Sequence, residues 1–436
     1  MTGHDVIVVG ARVAGAATAM LLARQGVRVL LIDRARFPSD TISSHQVQVP
    51  GVARLHQWGL LGRLHAAGTP PTRRIRFDTG PVTLDGHFPA YQGVDALYSP
   101  RRTVLDALLV DAARTAGAEV REQFRAEELT WSSGRVTGLR GSGRAGPLTE
   151  TARLVVGADG KHSLVASAVA AARYRRRPVL SFACYSYWSG LALDGGEIYQ
   201  RPDRAVAVFP TNDELVMVYM AAPLAAFGSF RADIEQSFLR TLDGCGDLGQ
   251  RARSGVRAER LRTTPDQPNT FRASYGPGWA LVGDAGVVMD SISAQGITNA
   301  LRDAELLADA IVAGLGGERP LDTALAERQR RRDTAIRPVY DFTVGLAAFA
   351  PPNLAQRQLL ASLAGRPAEI DRFIGAFTGV NPGYFAPGNM LRVLGLRGVT
   401  KIAAAAAIRG SPLTAARRTF SRDNTRIDDF PLRAKS

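Results

Sequence analysis

Val6-Ile7-Val8-Val9-Gly10-Ala11-Arg12-Val13-Ala14-Gly15 is the stretch on which the reading of this 436-residue chain turns. Val6–Val9 is a β-branched run, long enough for a strand buried in a parallel sheet. The alanine-rich stretch from Ala16 to Arg24 predicts a helix with Gly26 as its stop, and Val27–Ile32 a second strand ending at Asp33. The unit is strand, tight turn, helix, strand, with an acid 23 positions after Gly10 (33 − 10). In such a unit the first glycine allows the turn, and the helix N-terminus offers N–H groups and partial positive charge to a pyrophosphate. Gly15 would let helix and strand pack closely, and Asp33 would accept hydrogen bonds from ribose hydroxyls. Where a second glycine is usual stands Arg12. Its N–H remains available, and its guanidinium either pairs with a phosphate or swings into solvent.

Length and composition frame this unit. A chain of this size calls for two domains with room for a third element. It is 45% hydrophobic and 22% charged, a globular balance. No apolar run reaches the roughly 18 residues of a membrane span. Met1–Asp5 carries no basic segment, and Arg12 and Arg24 interrupt the apolar run, so no signal peptide is expected. Cys184 and Cys245 are the only cysteines, without metal-type spacing, and the six histidines are scattered. These features predict a reduced, cytoplasmic protein with no metal site. The net charge is +14, but only three lysines occur and arginine is spread along the chain. Only Tyr174 interleaves an aromatic with the basic clusters, so no nucleic-acid platform is expected. A basic surface does attract anionic cofactors or substrates.

Further along, Arg73–Phe77 and Val82–Leu84 alternate like a hairpin about Thr79-Gly80-Pro81. Val104, Leu105, Leu108, Leu109, Ala112 and Ala116 mark an amphipathic helix that stops at Gly117. Leu180–Leu191, Gly196–Gln200, Ala205–Pro210 and Leu215–Ala221 predict four strands in an antiparallel meander. Ile402–Ile408 suggests a packed helix, and the tail after Arg422 a loose end. The expected division is a discontinuous nucleotide-binding domain over 1–72, 97–179 and 266–335, a substrate domain over 73–96 and 180–265, and a helical region over 336–436.

Two later segments extend the first. Leu154-Val155-Val156 is a buried-strand run that delivers Gly157-Ala158-Asp159-Gly160, and Trp279-Ala280-Leu281-Val282 delivers Gly283-Asp284-Ala285. With Val8–Gly15, Gly157–Ser163 and Leu281–Ala285 continuing to Ala294-Gln295-Gly296-Ile297, the chain resembles FAD-dependent monooxygenases of the p-hydroxybenzoate hydroxylase (aromatic hydroxylase) superfamily. Geranylgeranyl reductase-like flavoproteins are close to the same pattern. The motifs span residues 8 to about 310 and none falls in the C-terminal hundred. The resemblance implies an α/β fold with a Rossmann-type, glutathione-reductase-like FAD domain, an inserted antiparallel sheet and a helical C-terminal region.

It also implies roles. Gly10, Ala11, Arg12, Ala14 and Gly15 would form the nucleotide loop. Asp33, Arg34 and Ala126 would meet the adenosine, Arg101 would reach FAD, and Asp159 would sit near the loop crossing the cofactor. Gly283 and Asp284 would bind the ribityl chain. Gln295, Gly296 and Ile297 would open a helix toward the flavin, stabilising its reduced anion. Tyr185, Tyr187, Phe209, Met217 and Tyr219 are candidates for a substrate wall by alternation, with sheet-core packing as the alternative. His45 lies where such proteins approach the flavin, either as a catalytic group or as a loop histidine making hydrogen bonds. Several positions depart from the family. Ser291 stands where proline is common, Ala294 where glycine is common, Ala166 where arginine is frequent, and Val287-Val288-Met289 where a histidine is frequent.

The implied chemistry is oxygen transfer. NADH or NADPH would reduce FAD, O2 would add to give a flavin C4a-hydroperoxide, and one oxygen atom would hydroxylate or epoxidise an electron-rich organic substrate such as an aromatic or polyketide-like metabolite. No second Gly-rich unit marks a nicotinamide domain. The Trp-x-Trp-x-Ile-Pro motif usual in halogenases of this superfamily is absent, which argues against halogenation. The alternatives are reduction of isoprenoid or other alkene bonds and, behind it, a non-catalytic flavin carrier.

Overall fold

The computed structural model describes residues 3–400, apart from 382, 387 and 396–399. Ile402–Ile408 and the tail after Arg422 lie outside the described residues. Five strands form a parallel sheet in the order Trp279–Leu281, Gly146–Gly157, His4–Val9, Val29–Asp33 and Glu119–Glu122. Val6 and Val8 pack into the core that holds the Val13–Arg24 helix, while Ile7 and Val9 pack into a second core on the opposite face. A strand buried on both faces reads as a continuous apolar run, which is why Val6–Val9 shows no alternation. The Val13–Arg24, Arg102–Thr115 and Gly296–Leu315 helices cover one face. An antiparallel layer, Arg125–Ser132 and Arg135–Gly143 paired with the start of Gly146–Gly157, covers the other. The three glycine-bearing segments therefore leave the sheet at the carboxyl ends of neighbouring strands, the edge at which such folds bind ligands.

The second sheet contains all four expected strands, and Gly196–Arg201, Arg204–Pro210 and Val216–Pro223 run as an antiparallel meander, but Ser181–Ser189 joins beside the last of them instead of beside the first. Ser181–Ser189 pairs with Val216–Pro223, placing Tyr185 opposite Tyr219, and Val216–Pro223 pairs with Arg204–Pro210. Gly196–Arg201 pairs with Arg204–Pro210 and, in parallel, with Arg74–Asp78, so the sheet is mixed. Two glycines mark the start of the parallel pairing. A Cβ on Gly195 would lie 2.5 Å from the Arg74 carbonyl oxygen, and one on Gly196 would lie 2.4 Å from the Phe209 ring. Bare backbone at these two positions allows the strand to lie close against Arg74 on one side and Phe209 on the other.

The helical region closes the assembly from below. Asp371 Oδ1 accepts from the His87 N–H at 2.7 Å, tying the Pro367–Thr378 helix to Thr83–His87. Phe349 packs with Tyr185, Tyr187, Met217 and Tyr219. The Leu321–Ala347 helix sends Arg328 inward, where it bonds Asp303 Oδ1 at 2.6 Å, the Leu281 carbonyl at 2.9 Å and Ser274 Oγ at 2.9 Å. Asp303 Oδ2 in turn accepts from the Gly283 N–H at 3.0 Å. Burial pulls the Arg328 pKa down to about 10, so it stays charged at neutral pH. Cys184 and Cys245 are free, buried thiols whose pKa values burial pushes up to about 12 and about 11. Among the described residues no helix is long and apolar enough to cross a membrane.

Arg328→Met would leave Asp303 a buried carboxylate without its ion-pair partner, with the Gly283 N–H and the charge of Arg332 remaining. Breaking such a pair costs about 3–5 kcal/mol, and urea unfolding should show a loss of that size. Removing both charges, with Arg328→Met and Asp303→Leu together, should cost less than the sum of the two single changes.

Candidate functional site

A cleft of about 730 Å³ runs along these strand ends to the tyrosine-bearing face of the second sheet. That lies within the usual range of roughly 300–1,000 Å³ for ligand sites. Asp33, Arg34 and Ala126 line one end, Gly10, Arg12, Ala14 and Asp159 the middle, and Gly283, Asp284, Gly296 and Ile297 the floor. Tyr185 and Tyr219 line the far end. Among the described residues no group of three or more His, Cys, Asp or Glu side chains could hold a metal ion.

Close backbone approach shapes the cleft. Gly10 has φ +100°, and a Cβ there would lie 2.6 Å from the Ala158 carbonyl oxygen. On Gly15 a Cβ would lie 1.7 Å from the Gly10 oxygen, and on Gly283 one would lie 2.7 Å from the Ala14 methyl. Ala11 and Gly15 thus stand behind the lining and act by shape. The Ala11 N–H donates to Asp33 Oδ2 and the Ala35 N–H to Oδ1, each at 2.7 Å. Both carboxylate oxygens are held in place, and each keeps a lone pair for a ribose hydroxyl.

The Arg12 side chain lines the cleft and is held by protein partners rather than swinging free into solvent. Its guanidinium donates to Asp106 Oδ2 at 2.5 Å, Ser39 Oγ at 3.0 Å and the Asp40 carbonyl at 3.1 Å, and stacks 5.7 Å from the Phe37 ring. It pins the 39–40 segment to the Arg102–Thr115 helix. Arg101 requires a correction of one position. It does not line the cleft but is paired with Glu259 and lies 4.3 Å above the Tyr187 ring. Arg102 lines the cleft instead, held by Asp106 at 3.0 Å through both Nε and Nη2. Asp106 is fully buried and faces two arginines, so the trio leaves one net positive charge beside the middle of the cleft.

Asp159 anchors its own loop. Its carboxylate accepts from Ser163 Oγ at 2.5 Å and from the Leu164 N–H at 2.7 Å, and burial holds its pKa above the usual carboxylate range. Asp284 differs. It is open to the cleft yet enclosed by protein, and among the described residues no protein hydrogen bond reaches its carboxylate. Enclosure raises its pKa against the pull of Arg102, Lys161 and Arg272. Its neighbours are fixed from behind, because Arg272 donates to the Asp284 and Ala285 carbonyls at 3.2 and 2.9 Å. The Gly296–Leu315 helix points its N-terminus at the same spot with no side-chain cap. Gln295 does not face the cleft, since its amide donates to the Phe377 carbonyl at 2.8 Å. A free acceptor beside an uncapped helix N-terminus, with a bare-backbone cradle farther along, fits a long ligand bearing hydroxyls and phosphates, as FAD does.

On the second sheet, Tyr185, Tyr187, Met217 and Tyr219 share one face, but the cleft reaches only Tyr185 and Tyr219. Tyr187 and Met217 are two paired positions farther along the strands. Phe209 is a correction: it sits in the main core against Gly196. His45 is another. It is fully buried, with φ +63°, and does not line the cleft. Its Nδ1 lies 2.7 Å from the Ser43 carbonyl and its Nε2 2.7 Å from the Tyr187 hydroxyl. A carbonyl only accepts, so Nδ1 carries the proton and Nε2 accepts from Tyr187. Both ring nitrogens are engaged, which makes His45 a structural hydrogen-bonding residue. Sequence reasoning missed Arg102, Gln267 and Asp303. For Arg102 the neighbouring Arg101 gave the signal, displaced by one residue. Gln267 and Asp303 carry none that single-sequence patterning detects.

Burial and the charges of Arg102, Arg101 and Arg262 press the His45 pKa from 6.5 down to about 3. Between those values the unfolded chain binds one more proton, so stability falls as pH falls, by about 1.4 kcal/mol per pH unit from this group. The stability advantage of the wild type over His45→Gln, measured by urea unfolding, should therefore shrink by that slope from about pH 6 to about pH 4.

With this geometry in hand, comparison with known proteins is informative. A tryptophan 2-halogenase of Chondromyces crocatus is 25% identical over 342 residues, covering 74% of this chain and 64% of that protein. The chain thus spans somewhat under two thirds of that relative's length. A 6-methylpretetramide 4-monooxygenase of Streptomyces rimosus is 26% identical over 377 residues, 77% of this chain and 85% of that protein. Among solved structures, the myxobacterial chondrochloren halogenase CndH superposes with a TM-score of 0.73 at 24% identity, over 91% of this chain and 97% of that one. The family model described as "FAD binding domain" matches residues 3–339, more than three quarters of the chain, so this protein belongs to that FAD-binding family of aromatic-hydroxylase-type flavoproteins.

Proposed function

We propose that the protein is an FAD-dependent monooxygenase that takes electrons from NADH or NADPH and transfers one oxygen atom of O2 to an electron-rich organic substrate, by hydroxylation or epoxidation. The observation that carries this reading is the single cleft. It joins the strand ends at Gly10, Asp33 and Asp284 to a wall bearing Tyr185 and Tyr219, so that a cofactor and a substrate would share one space. Family membership and similarity to a named monooxygenase support oxygen transfer. FAD, when bound, supplies the redox chemistry and the activation of oxygen.

The protein's own residues do the rest. Asp284 would accept a ribityl hydroxyl, the Gly296 helix N-terminus would offset negative charge on the reduced cofactor, and the Arg12–Asp106–Arg102 trio would offset the pyrophosphate. The tyrosine wall would exclude water from the reacting atoms. Asp284→Ala should weaken FAD at least about tenfold in equilibrium dialysis, because an acceptor enclosed by protein is lost. A change under about twofold would contradict its role.

A second reading is halogenation, which the missing motif argued against and which similarity to a tryptophan 2-halogenase favours. One experiment separates the readings: reduce the holoprotein anaerobically with NADPH or NADH and mix it with O2 in a stopped-flow spectrometer. A transient with absorbance unlike either reduced or oxidised flavin, unchanged by bromide, is the expected result. Bromide-dependent bromination of phenol red would move the assignment to halogenation. Direct return to oxidised flavin with release of hydrogen peroxide would overturn oxygen transfer and favour alkene reduction.

A further inference from the structure

The far wall of the cleft has a fixed hydrogen-bond polarity. The Ser291 N–H lies 3.1 Å from Gln267 Oε1, which identifies that atom of the amide as the oxygen. Ser291 Oγ lies within hydrogen-bond distance of the same oxygen, which can only accept, so the Ser291 hydroxyl spends its proton there. Tyr219 Oη is 2.8 Å from Ser291 Oγ. With the serine proton already used, the tyrosine proton must lie between them. Gln267 Nε2 donates to Ser181 Oγ at 2.7 Å, and Ser181 donates to Asp290 Oδ2 at 2.6 Å. The chain therefore runs one way, from Tyr219 through Ser291, Gln267 and Ser181 to a buried carboxylate. Its polarity is set by a backbone N–H and does not depend on the charge of Asp290.

The other two tyrosines on this face are spent in the same sense. Tyr185 Oη donates to the Thr41 carbonyl at 3.4 Å, and Tyr187 Oη donates to His45 Nε2 at 2.7 Å. All three phenols point their protons into protein. Burial raises the pKa of both Tyr185 and Tyr219, so neither loses that proton at neutral pH. Tyr219 lines the cleft, and with its proton engaged its hydroxyl retains a lone pair. The arrangement belongs to this chain in particular, because it needs both the N–H and the hydroxyl of Ser291, at the position where proline is common in the family and would supply neither.

We propose that Tyr219 is a specificity-determining residue that accepts a hydrogen bond from the cleft's small-molecule ligand, so that the site selects ligands bearing a hydroxyl or N–H donor over their O- or N-methylated counterparts. This rests on the reading of the tyrosine wall as the substrate side of the cleft. It concerns binding alone and is independent of whether oxygen, halogen or hydride is transferred.

The test is equilibrium binding to the FAD-loaded protein of paired probes: 1-naphthol against 1-methoxynaphthalene, and 1-naphthylamine against its N,N-dimethyl derivative. Binding is read from the perturbation of flavin absorbance and checked by dialysis. The donor-bearing member of each pair should bind about five- to tenfold more tightly, the scale of one hydrogen bond. Tyr219→Phe keeps the ring and should remove the preference, whereas a preference caused only by the extra methyl group would survive it. Ser291→Ala releases the Tyr219 proton, lets the hydroxyl donate as well as accept, and should narrow the preference by improving the methylated probe. Thermal unfolding of both variants shows that they are folded. Equal binding within each pair, binding by neither member, or a preference that persists in Tyr219→Phe would overturn the proposal. A clear preference in a protein that fails the oxygen-transfer experiment would leave this inference standing and remove only the assigned reaction.

Discussion

Gly10 passes the Ala158 backbone so closely that no side chain fits between them, and the rest of the site depends on that contact. It brings the first strand's turn against the second motif. Gly15 then lets the Val13–Arg24 helix close on that turn, and Gly283 brings the third motif against Ala14. Three segments separated by more than a hundred residues meet because one partner at each contact, Gly10 against Ala158 and Gly283 against Ala14, lacks a Cβ. The parallel pairing of the strands before them places those contacts at a common edge. From this edge follow the open carboxylate of Asp284, the two-point hold on Asp33 and the direction of the Gly296–Leu315 helix.

Charge is arranged around that edge in pairs that serve the backbone as much as the ligand. Arg328, Asp303 and Arg272 secure the 281–285 turn through its N–H and carbonyl groups and leave the Asp284 carboxylate free. The Arg12–Asp106–Arg102 trio does similar work at the middle of the cleft, with one positive charge left over beside the place a pyrophosphate would take. Replacing the usual glycine by Arg12 therefore adds a strut to the 39–40 segment without filling the nucleotide turn. Buried charges are costly unless hydrogen-bonded; Arg272 is bonded to main-chain carbonyls, Arg328 to a carbonyl and two side chains, and Asp106 to the two arginines of its trio.

The parts of the molecule legible in the sequence are those governed by local rules. A β-branched run, a left-handed glycine and an alanine-rich helix specify the strand–turn–helix at 6–24 wherever it occurs, and the later strands bearing Gly157 and Gly283 read the same way. Strand pairing in the second sheet was only partly legible. Gly196–Arg201 pairs with Arg74–Asp78 and Ser181–Ser189 with Val216–Pro223, contacts distant in sequence, and the close approach of Gly195 to Arg74 carries no local signal. Side-chain direction at helix starts was equally hidden. Arg101 and Arg102 are adjacent, and only the placement of Glu259 and Asp106 determines which one turns toward the cleft. His45, Phe209 and Gln295 show the same limit: residue type and position suggested function, while their partners Tyr187, Gly196 and Phe377 assign them to the structure.

The account stands on the claim that these three segments form one site for a whole dinucleotide rather than for a flavin head alone. Calorimetric titration of the flavin-free protein with FAD and, separately, with FMN tests it most directly. One FAD per chain, bound at least about a hundredfold more tightly than FMN, is the predicted result, because Gly10, Asp33 and Ala126 would act only on the half that FMN lacks. Equal affinity for the two, or no binding of either, would contradict it.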